Sequence, residues 1–412
     1  MSGDMTENHC VIIGGSHAAA QLAPSLRQGG WNGKITIISA DPFPPYHRPP
    51  LSKAYLDGSS TLEQLQIRPP QFYEKNNIDL LLGSSVTEID RKNRQVILHD
   101  GGKIPYTKLA LTTGAKVRKI DIPGSNLDGV HYLRDMGDVS QIKHFVGTGK
   151  SAVIIGGGYI GLETAASLRK MGMEVTVLEA MPRVLQRVTT EEISAFYTRV
   201  HTEEGVRIIT EAAVQSINGE HHAESVSLGS GEDLKADLVI IGVGVIPETE
   251  LAEAAGLEIN NGIVVNEFAQ TSDPDIVSAG DCTFHYNPIY DRHLRLESVQ
   301  NATDQAKVAA NTLCGKLEPY RALPWFWSDQ FDLKLQIAGL SQGYDQVVIR
   351  GDTSTGRSFA AFYLLDGKLL AVDAINRPQE FMLCRRQLTE IKTVDPARLA
   401  DESISIKEVF NN

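Results

Sequence analysis

The sequence has little that would tie the chain to a membrane or to an oxidising compartment. No apolar run approaches the roughly 18 residues of a membrane-spanning helix, and the opening MSGDMTENHC lacks the basic and apolar segments of an export signal. The four cysteines are far apart and form neither a CxxC pair nor a metal-ligand spacing: Cys10, Cys282, Cys314 and Cys384. The sequence therefore predicts a cytoplasmic protein with no membrane anchor and no metal site.

Basic residues are also in short supply. The chain has 39 Lys and Arg against 51 Asp and Glu, a net charge of −12, which argues against non-specific binding to nucleic acid or to anionic membranes. A hydrophobic content of 42% is far above that of disordered chains. A folded chain of 412 residues is expected to form two or three domains.

Two segments of the chain follow the same plan of strand, glycine-rich turn, helix and strand. The first begins at His9 and reads CVII, Gly14-Gly15, AAAQLAPSLRQ and KITIIS. The second begins at Ser151 and reads SAVII, Gly156 to Gly158, YIGLETAASLRKM and EVTVLE. Short alternating strands follow each of them. This repeat predicts an α/β protein with two Rossmann-like dinucleotide-binding domains.

The rest of the chain divides by its pattern. The segments TSDPDIVSAGDC and SVQNATDQAKVAANTL continue a nucleotide-domain pattern without a glycine-rich opening, so we assign them to the first domain. Beyond Pro324, antiparallel strand patterns and a helix from about Pro378 to Lys392 predict a C-terminal α+β domain. The predicted domains are a first nucleotide-binding domain (1–115 and 246–323), a second nucleotide-binding domain (116–245) and the C-terminal α+β domain (324–412).

The second glycine turn has the GxGxxG pattern, Gly156-Gly157-Gly158-Tyr159-Ile160-Gly161. In this motif the first glycine permits a tight turn, the second lets the backbone approach a pyrophosphate, and the third lets the helix pack on the strand. Glu179 ends the next strand, where its carboxylate would accept the ribose hydroxyls and repel a 2′-phosphate. The pattern predicts preference for NADH over NADPH, with Arg183 near enough to weaken that preference.

The first glycine turn departs from the pattern. It reads Gly14-Gly15-Ser16-His17-Ala18-Ala19, with Ser16 in the place of the second glycine. A serine hydroxyl can donate to a phosphate, and Asp41 at the end of the next strand can hold an adenosine ribose. We interpret His17 as a residue of the turn rather than a catalytic base, because hydride transfer needs no base here. Alone, this turn does not decide whether the segment binds a nucleotide.

Six motifs together carry a resemblance to one family. They are Pro49-Pro50-Leu51-Ser52-Lys53, Thr112-Thr113-Gly114-Ala115, GGGYIGLE, GVGVIPET, Ala279-Gly280-Asp281 and PWFWSDQ. In this combination the chain, from Val11 to about Val409, resembles the putidaredoxin-reductase type of flavoprotein, the NADH-dependent ferredoxin reductases of bacterial monooxygenase and dioxygenase systems. It departs from that type at Ser16 and Cys282, neither of which removes a required group.

The resemblance implies a glutathione-reductase-like fold in which the first domain (1–115 and 246–323) binds FAD and the second (116–245) binds NAD, and it implies a set of site residues. It places Lys53 beside the flavin N5, paired with Glu163, and Trp325 or Trp327 at the flavin edge, so Lys53, Glu163 and Trp327 are the catalytic candidates. The implied FAD site comprises Gly14, Ser16, His17, Ala18, Asp41, Arg48, Lys53, Val86, Arg134, Gly280, Asp281 and Val299. The predicted NAD site comprises Gly156, Gly158, Tyr159, Ile160, Gly161, Glu179 and Gly244.

The implied activity is transfer of hydride from NADH to FAD and then of single electrons to a [2Fe-2S] ferredoxin of an oxygenase system, by a monomer or weak dimer. Disulfide reductases of this fold carry a cysteine pair in the first helix or the second nucleotide domain, and neither segment has one. Two alternatives remain: a rubredoxin reductase, and a redox-controlled interaction protein resembling apoptosis-inducing factor. The second would be expected to have a targeting segment, a long C-terminal insertion and a basic nucleic-acid surface.

An acidic chain needs local basic residues to dock an acidic ferredoxin. The resemblance implies that the face over the exposed flavin edge supplies them. The candidates are Arg292, Arg295, Lys307, Lys316, Arg377, Arg385 and Arg386.

Overall fold

The computed structural model describes residues 8–388 and 393–410. The predicted character of residues 1–7 and the predicted end of the C-terminal helix at Lys392 lie outside the described residues. The chain forms two compact units: Met1–His47, Leu62–Lys116 and Ile246–Pro324 make the first, and Arg48–Thr61, Val117–Val245 and Trp325–Asn412 make the second. The three-domain division of the sequence stays a prediction, because this grouping places 48–61 and the C-terminal region with the second nucleotide segment.

The first unit is built on a five-stranded parallel sheet. Its strands, in spatial order, are Ile276–Ser278, Lys108–Leu111, His9–Ile13, Lys34–Ser39 and Ile78–Leu82. Every residue of His9–Ile13 is buried, as expected for a parallel strand covered on both faces. The late strand Ile276–Ser278 pairs with Lys108–Leu111, which confirms that the segment after 270 completes the first nucleotide fold.

Two long helices of the first unit pack side by side. The helix His17–Gly29 ends at Gly30 in the left-handed conformation (φ 98°), and it shares a core with Val299–Leu313. The shorter helices are Leu62–Leu65, Pro70–Lys75 and Glu250–Ala254. Two three-stranded sheets complete the unit: Val86–Asp90, Gln95–Leu98 and Lys103–Pro105, and Ile263–Val265, Thr283–Asn287 and Arg292–Leu294.

The second unit repeats the parallel sheet. Its strands, in spatial order, are Val206–Ile209, Glu174–Leu178, Ser151–Ile155, Leu238–Ile241 and Val130–Tyr132. The helices around it are Met136–Phe145, Tyr159–Lys170 and Glu191–Glu203, and a 3₁₀ helix spans Pro49–Ser52. A three-stranded antiparallel sheet follows: Val214–Asn218, Ser225–Leu228 and Asp233–Lys235. Short strands also span Ala115–Val117 and Val245–Pro247.

The C-terminal part of the second unit is an antiparallel sheet with helices. The strands are Trp325–Gln330, Leu333–Gly339, Lys368–Ile375, Phe359–Leu365 and Gln346–Gly351 in spatial order, and the helices are Pro378–Gln387, Pro396–Ala400 and Ile406–Phe410. On Trp325–Gln330, Ser328 and Gln330 are buried while Trp327 and Asp329 are partly exposed, because side chains alternate along a strand. The predicted α/β class, with two parallel nucleotide sheets and a C-terminal α+β region, is confirmed.

The cysteines of the first unit and the C-terminal region are free thiols. Cys10, Cys282 and Cys384 are buried, and burial raises the pKa of each thiol, so they are poor nucleophiles. Within residues 8–388 and 393–410, no three His, Cys, Asp or Glu side chains gather as a metal site would require. Over the same part of the chain, the helices are too short or too polar for any of them to cross a bilayer.

Candidate functional site

The second glycine turn has the geometry that a pyrophosphate needs. Gly156 has φ +121°, and a Cβ there would lie 2.3 Å from the Gly242 carbonyl oxygen. A Cβ on Gly161 would lie 2.1 Å from the Gly156 carbonyl oxygen, so both glycines are required for the turn itself. At Gly158 the backbone is extended (φ −81°) and a Cβ would meet no atom within 4 Å. Gly158 therefore leaves open space at the N-terminus of Tyr159–Lys170, where helix N–H groups favour an anion.

Glu179 stands beside this turn. Its Oε2 accepts a hydrogen bond from the Gly157 N–H (2.8 Å) and its Oε1 accepts one from the Met181 N–H (2.9 Å). These bonds fix the carboxylate at the end of the strand Glu174–Leu178, the position at which such folds hold a ribose. Ile160, which follows the turn, is 48% exposed and Met181 is 39% exposed, so apolar surface lies on both segments.

Arg183 does not point its charge at the ribose position. Its Nη1 donates to the carbonyl oxygens of Thr189 (2.9 Å) and Thr190 (3.1 Å) and to Ser194 Oγ (2.6 Å), and its Nη2 donates to the Gln186 carbonyl oxygen (3.3 Å). The guanidinium is thus used to hold the loop before the helix Glu191–Glu203. The sequence allowed Arg183 to weaken the preference for NADH, and these contacts argue against that role.

Replacing Glu179 with Gln should reduce discrimination against NADPH. The amide keeps an acceptor for the ribose hydroxyls but removes the negative charge that repels a 2′-phosphate. We expect the NADH/NADPH ratio of kcat/KM to fall by about tenfold, within the 1–3 kcal/mol that one such contact controls. Arg183→Lys is the matched control, since it should lower thermal stability and leave the ratio unchanged. An unaltered ratio in Glu179→Gln would remove Glu179 from coenzyme selection.

The first glycine turn, in the first unit, meets a second helix N-terminus. Gly14 has φ +107°, and a Cβ there would lie 2.2 Å from the Thr112 carbonyl oxygen. Ser16 has extended backbone (φ −120°, ψ −154°), which any residue adopts, so its departure from glycine costs no backbone strain. A Cβ on Gly280 would lie 3.5 Å from the Ala18 Cβ and 3.7 Å from the Ala302 Cβ. The first turns of His17–Gly29 and Val299–Leu313 therefore meet at Gly280, beside Asp281.

The remaining first-unit predictions lie around this turn and on a neighbouring sheet. Asp41 Oδ2 accepts a hydrogen bond from the Tyr46 hydroxyl (2.7 Å) and Oδ1 accepts one from the Phe43 N–H (3.2 Å). His17 is buried and its ring packs against His47, with centroids 5.4 Å apart, which agrees with a structural role. Val86 begins the strand Val86–Asp90 and is half-buried. Val299 begins its helix after the Ser298 cap, whose side chain accepts the Asn301 N–H (3.1 Å).

In the second unit, the predicted partners Lys53 and Glu163 are in direct contact. The Lys53 Nζ lies 2.6 Å from Glu163 Oε2, which also accepts a hydrogen bond from Ser52 Oγ (2.7 Å). Glu163 Oε1 accepts one from Ser328 Oγ (2.7 Å). Glu163 is 5% exposed, and a buried carboxylate is tolerated only when it is paired and hydrogen-bonded, as here. Asp329 adds a half-buried carboxyl. Burial raises its pKa above the ordinary value, and the nearby Lys53 ammonium offsets only part of this rise.

Other predicted second-unit residues fall into two smaller groups. Arg48 Nη1 donates to the Arg134 carbonyl oxygen (2.6 Å), so these two FAD candidates lie together. Gly244 has φ +104°, its carbonyl oxygen accepts the Arg118 N–H (2.9 Å), and a Cβ there would meet no atom within 4 Å. Tyr159 packs its ring on Phe326, with centroids 5.1 Å apart.

Trp327 lies on the strand that also supplies Ser328. Its ring is 5.5 Å from that of Trp325, which contacts Phe381 (6.0 Å) and lies under the Arg385 guanidinium (5.1 Å). Both tryptophans are partly exposed. The strand therefore presents aromatic side chains on the side opposite to the one that contacts Glu163.

Four polar residues of the Glu163 surroundings had not been singled out from the sequence: Ser52, Ser328, Gln330 and His201. Gln330 Nε2 donates to Ser328 Oγ (3.1 Å), and Gln330 Oε1 lies 2.8 Å from His201 Nε2. One signal was available in PWFWSDQ, because the two-residue period of a strand puts Ser328 and Gln330 on one face. Ser52 lies beside Lys53 in the motif Pro49-Pro50-Leu51-Ser52-Lys53, although no role was predicted for it. For His201 the sequence carries no comparable signal.

Several of the predicted docking cations are already engaged. Arg295 pairs with Glu297, Lys307 with Asp304 (2.9 Å), and Arg377 with Glu380 (3.4 Å) and Glu402 (2.6 Å). Lys316 Nζ donates to the Gly29 carbonyl oxygen (3.2 Å). These contacts argue against the prediction that all seven cations are available to dock a partner. Arg385 and Arg386 lie together in the last turn of the helix Pro378–Gln387, so they form the most closely spaced pair among the seven candidates.

Comparison with known proteins gives matches along almost the entire chain. The family described as pyridine nucleotide-disulphide oxidoreductase matches residues 8–306, and the family described as reductase C-terminal matches residues 325–410. The chain is 43% identical to putidaredoxin reductase CamA of Pseudomonas putida over 98% of this chain and 97% of that protein. It is 41% identical to the ferredoxin–NAD(P)(+) reductase fdr of a Sphingomonas species, over 98% of both proteins.

A solved structure is similar to this chain over nearly its entire length. The crystal structure of the covalent putidaredoxin reductase–putidaredoxin complex matches with a TM-score of 0.94 at 43% identity, covering 98% of both chains.

Proposed function

The chain belongs to the pyridine nucleotide-disulphide oxidoreductase family, and from that premise we infer that it is an FAD-containing, NADH-dependent ferredoxin reductase. The observation that carries this function is the similarity over nearly the full length to reductases named for ferredoxin-type acceptors. When bound, FAD would supply the chemistry that accepts hydride from NADH and releases electrons one at a time. The cysteines of the described residues are free thiols without a disulfide, so they offer no alternative electron acceptor.

The first unit would hold the FAD pyrophosphate at the meeting point of two helices. A Cβ on Gly280 would lie within 4 Å of both Ala18 and Ala302, so the first turns of both helices, with their N–H groups, lie close to this glycine. Asp281 follows Gly280 directly and would accept hydrogen bonds from the ribityl chain. Asp41, held by Tyr46 and the Phe43 N–H, would accept the adenosine ribose hydroxyls. The site residues fit a dinucleotide of this kind.

The second unit would hold NADH and the charge that acts on the flavin. The open space at Gly158 suits the NADH pyrophosphate, and Glu179 suits its ribose. Lys53 would place an ammonium beside the flavin N5, where negative charge builds up as hydride arrives. Glu163 keeps that ammonium in place through the 2.6 Å ion pair. Trp327 would cover the flavin edge near the nicotinamide.

The acceptor is a ferredoxin, and we propose that it carries a [2Fe-2S] cluster and serves a bacterial monooxygenase or dioxygenase. Relatives named for ferredoxin-type acceptors are 43% and 41% identical to this chain, whereas two relatives named rubredoxin–NAD(+) reductase are 38% identical. A rubredoxin is therefore the less well supported acceptor.

The test begins with the purified protein. It should be yellow and should release FAD on heating, and NADH should bleach the flavin. A panel of [2Fe-2S] ferredoxins and a rubredoxin is then assayed for NADH-driven reduction, with ferricyanide as the small acceptor. Faster turnover with a ferredoxin than with rubredoxin supports the proposal. A colourless protein that FAD does not reconstitute, or turnover with ferricyanide alone, contradicts it.

Arg385→Glu with Arg386→Glu should slow ferredoxin reduction. Reversing two cations at the end of the helix Pro378–Gln387 weakens attraction to an acidic partner, and such steering acts on the encounter rate. We expect roughly a tenfold loss at low salt, shrinking as salt rises towards 0.15 M, where the screening length is about 8 Å. NADH oxidation by ferricyanide should be largely unchanged.

The matched control for that pair is Lys92→Glu with Lys103→Glu. Both lysines are exposed, Lys92 in the turn between Val86–Asp90 and Gln95–Leu98 and Lys103 at the start of Lys103–Pro105, and their reversal changes the net charge equally. It should have little effect at any salt concentration. Equal losses in the two double variants would mean that overall charge, rather than this helix, governs the encounter.

A further inference from the structure

A continuous line of hydrogen bonds runs from a buried histidine to the Lys53–Glu163 pair. His201 Nε2 lies 2.8 Å from Gln330 Oε1, Gln330 Nε2 donates to Ser328 Oγ (3.1 Å), and Ser328 Oγ donates to Glu163 Oε1 (2.7 Å). His201 and Ser328 are 0% exposed and Gln330 is 2% exposed. The line therefore reaches Glu163 from the protein interior, on the side away from Lys53, and we call it the Glu163 support chain.

The donors of the support chain all point towards Glu163. Because the Gln330 amide nitrogen faces Ser328, its oxygen faces His201, so the His201 proton is on Nε2. Burial lowers the pKa of His201 to about 4, which keeps the imidazole neutral at physiological pH. Ser328 accepts from Gln330 and gives its own proton to the carboxylate. Aligned bonds of this kind strengthen one another in a poorly polarisable interior.

The two oxygens of Glu163 are thereby divided between two tasks. Oε2 accepts hydrogen bonds from Lys53 Nζ and Ser52 Oγ, while Oε1 accepts the hydrogen bond from Ser328, the last residue of the support chain. A carboxylate fixed at both oxygens cannot rotate, so the ammonium bound to one of them is fixed as well. Without the bond to Oε1, the carboxylate can turn about its last side-chain torsion, which is broad in glutamate.

We propose that Ser328, Gln330 and His201 are positioning residues for the reaction, setting the orientation of Glu163 and through it the placement of the Lys53 ammonium. The proposal rests on the proposed function, because its readout is the reduction of bound FAD by NADH. None of the three touches the flavin or NADH in this scheme. Their effect passes through Glu163, and that dependence makes the proposal testable by double substitution.

The experiment is stopped-flow reduction of the bound flavin by NADH in the full-length protein. Ser328→Ala should slow the limiting rate by about tenfold, the size of one lost hydrogen bond to a charged group, with the Kd of NADH unchanged. In a Glu163→Gln background the same substitution should have almost no further effect, because the charge it supports is gone. Equal factors in the two backgrounds, or no slowing in the single variant, would overturn the proposal.

His201, at the end of the Glu163 support chain farthest from Glu163, gives a second, independent comparison. His201→Leu removes the donor to Gln330 and should slow flavin reduction about threefold, a smaller loss than in Ser328→Ala because Ser328 can still reach Glu163. His201→Gln keeps an N–H near the Nε2 position and should restore the rate. Thr198→Val is the control on the same helix, since its hydroxyl donates to the Ser194 carbonyl oxygen within that helix (2.9 Å), and it should leave the rate unchanged.

Thermal stability and flavin content are measured for every variant, and the outcomes separate the two proposals. If His201→Leu and His201→Gln are equally slow, packing rather than hydrogen bonding explains the loss and the support chain is refuted. If the unsubstituted protein binds FAD but NADH does not reduce it, the proposed function fails, whatever the variants do. If the unsubstituted protein is reduced and all variants match it, only the support chain fails.

Discussion

Lys53→Met should slow the reduction of the flavin by NADH by about a hundredfold. The substitution keeps a long flexible side chain but removes a fixed positive charge from the place where negative charge develops, and one such preorganised group typically changes a rate by about 10²–10³. Stopped-flow absorbance of the flavin measures this step directly. The NADH Kd should change little, because the proposed contacts of NADH with Gly158 and Glu179 are left intact.

The same variant should be less stable, for a separate reason. Glu163 is 5% exposed and would lose its cation, and an unpaired buried charge costs about 3–5 kcal/mol. Lys53→Met with Glu163→Gln removes that charge and should recover most of the melting temperature while staying slow. This double variant separates a defect in folding from one in chemistry. If the double variant recovers the rate of flavin reduction as well as the melting temperature, Lys53 matters only for the fold. Unchanged flavin reduction in Lys53→Met alone would lead to the same conclusion.

Gly158→Ala should weaken NADH binding by roughly ten- to a hundredfold while leaving the fold intact. The backbone at Gly158 suits alanine, and a Cβ there would meet no protein atom within 4 Å. The methyl group would instead occupy the space assigned to the pyrophosphate, and overfilling a fitted site costs about 1–3 kcal/mol. Titration of the protein with NADH measures the Kd, and FAD content should be unaffected.

Gly156→Ala is the contrasting variant. There a Cβ would lie 2.3 Å from a backbone oxygen at a φ of +121°, so the turn itself must move and the protein should lose stability whether or not NADH is present. If Gly158→Ala binds NADH as well as the unsubstituted protein does, the open space at that helix terminus is not the pyrophosphate site.

The fold was predictable because its signals are local. Each nucleotide-binding segment can be recognised within about 30 residues of sequence, as an apolar strand, a glycine turn and a helix. The late strand Ile276–Ser278 was assigned to the first sheet because it lacks a turn of its own, and its pairing with Lys108–Leu111 confirms this. The helix Pro378–Gln387 was predicted too, with its start at Pro378.

The site was only partly predictable. Glycines with fixed spacing can be read directly, but the Lys53–Glu163 pair joins residues 110 positions apart and was expected only from the resemblance. The partners of Arg183 were not predictable, because two of them are the backbone carbonyl oxygens of Thr189 and Thr190, which every residue type carries. The contact of His201 was not predictable for a different reason: its side-chain partner Gln330 lies in another element, 129 positions away.

The late completion of the first sheet has a consequence for synthesis of the protein on the ribosome. The strand Lys108–Leu111 is made about 165 residues before Ile276–Ser278, which must join its open edge, and the helix Val299–Leu313 that covers His17–Gly29 comes later still. At about 5–20 residues per second, this edge waits roughly 8–33 s for its partner strand, and the apolar face of His17–Gly29 waits roughly 14–57 s for the helix that covers it. A nascent chain in this state is an expected client of ribosome-associated chaperones, whereas the parallel sheet of the second unit, contained within residues 130–241, can close without delay.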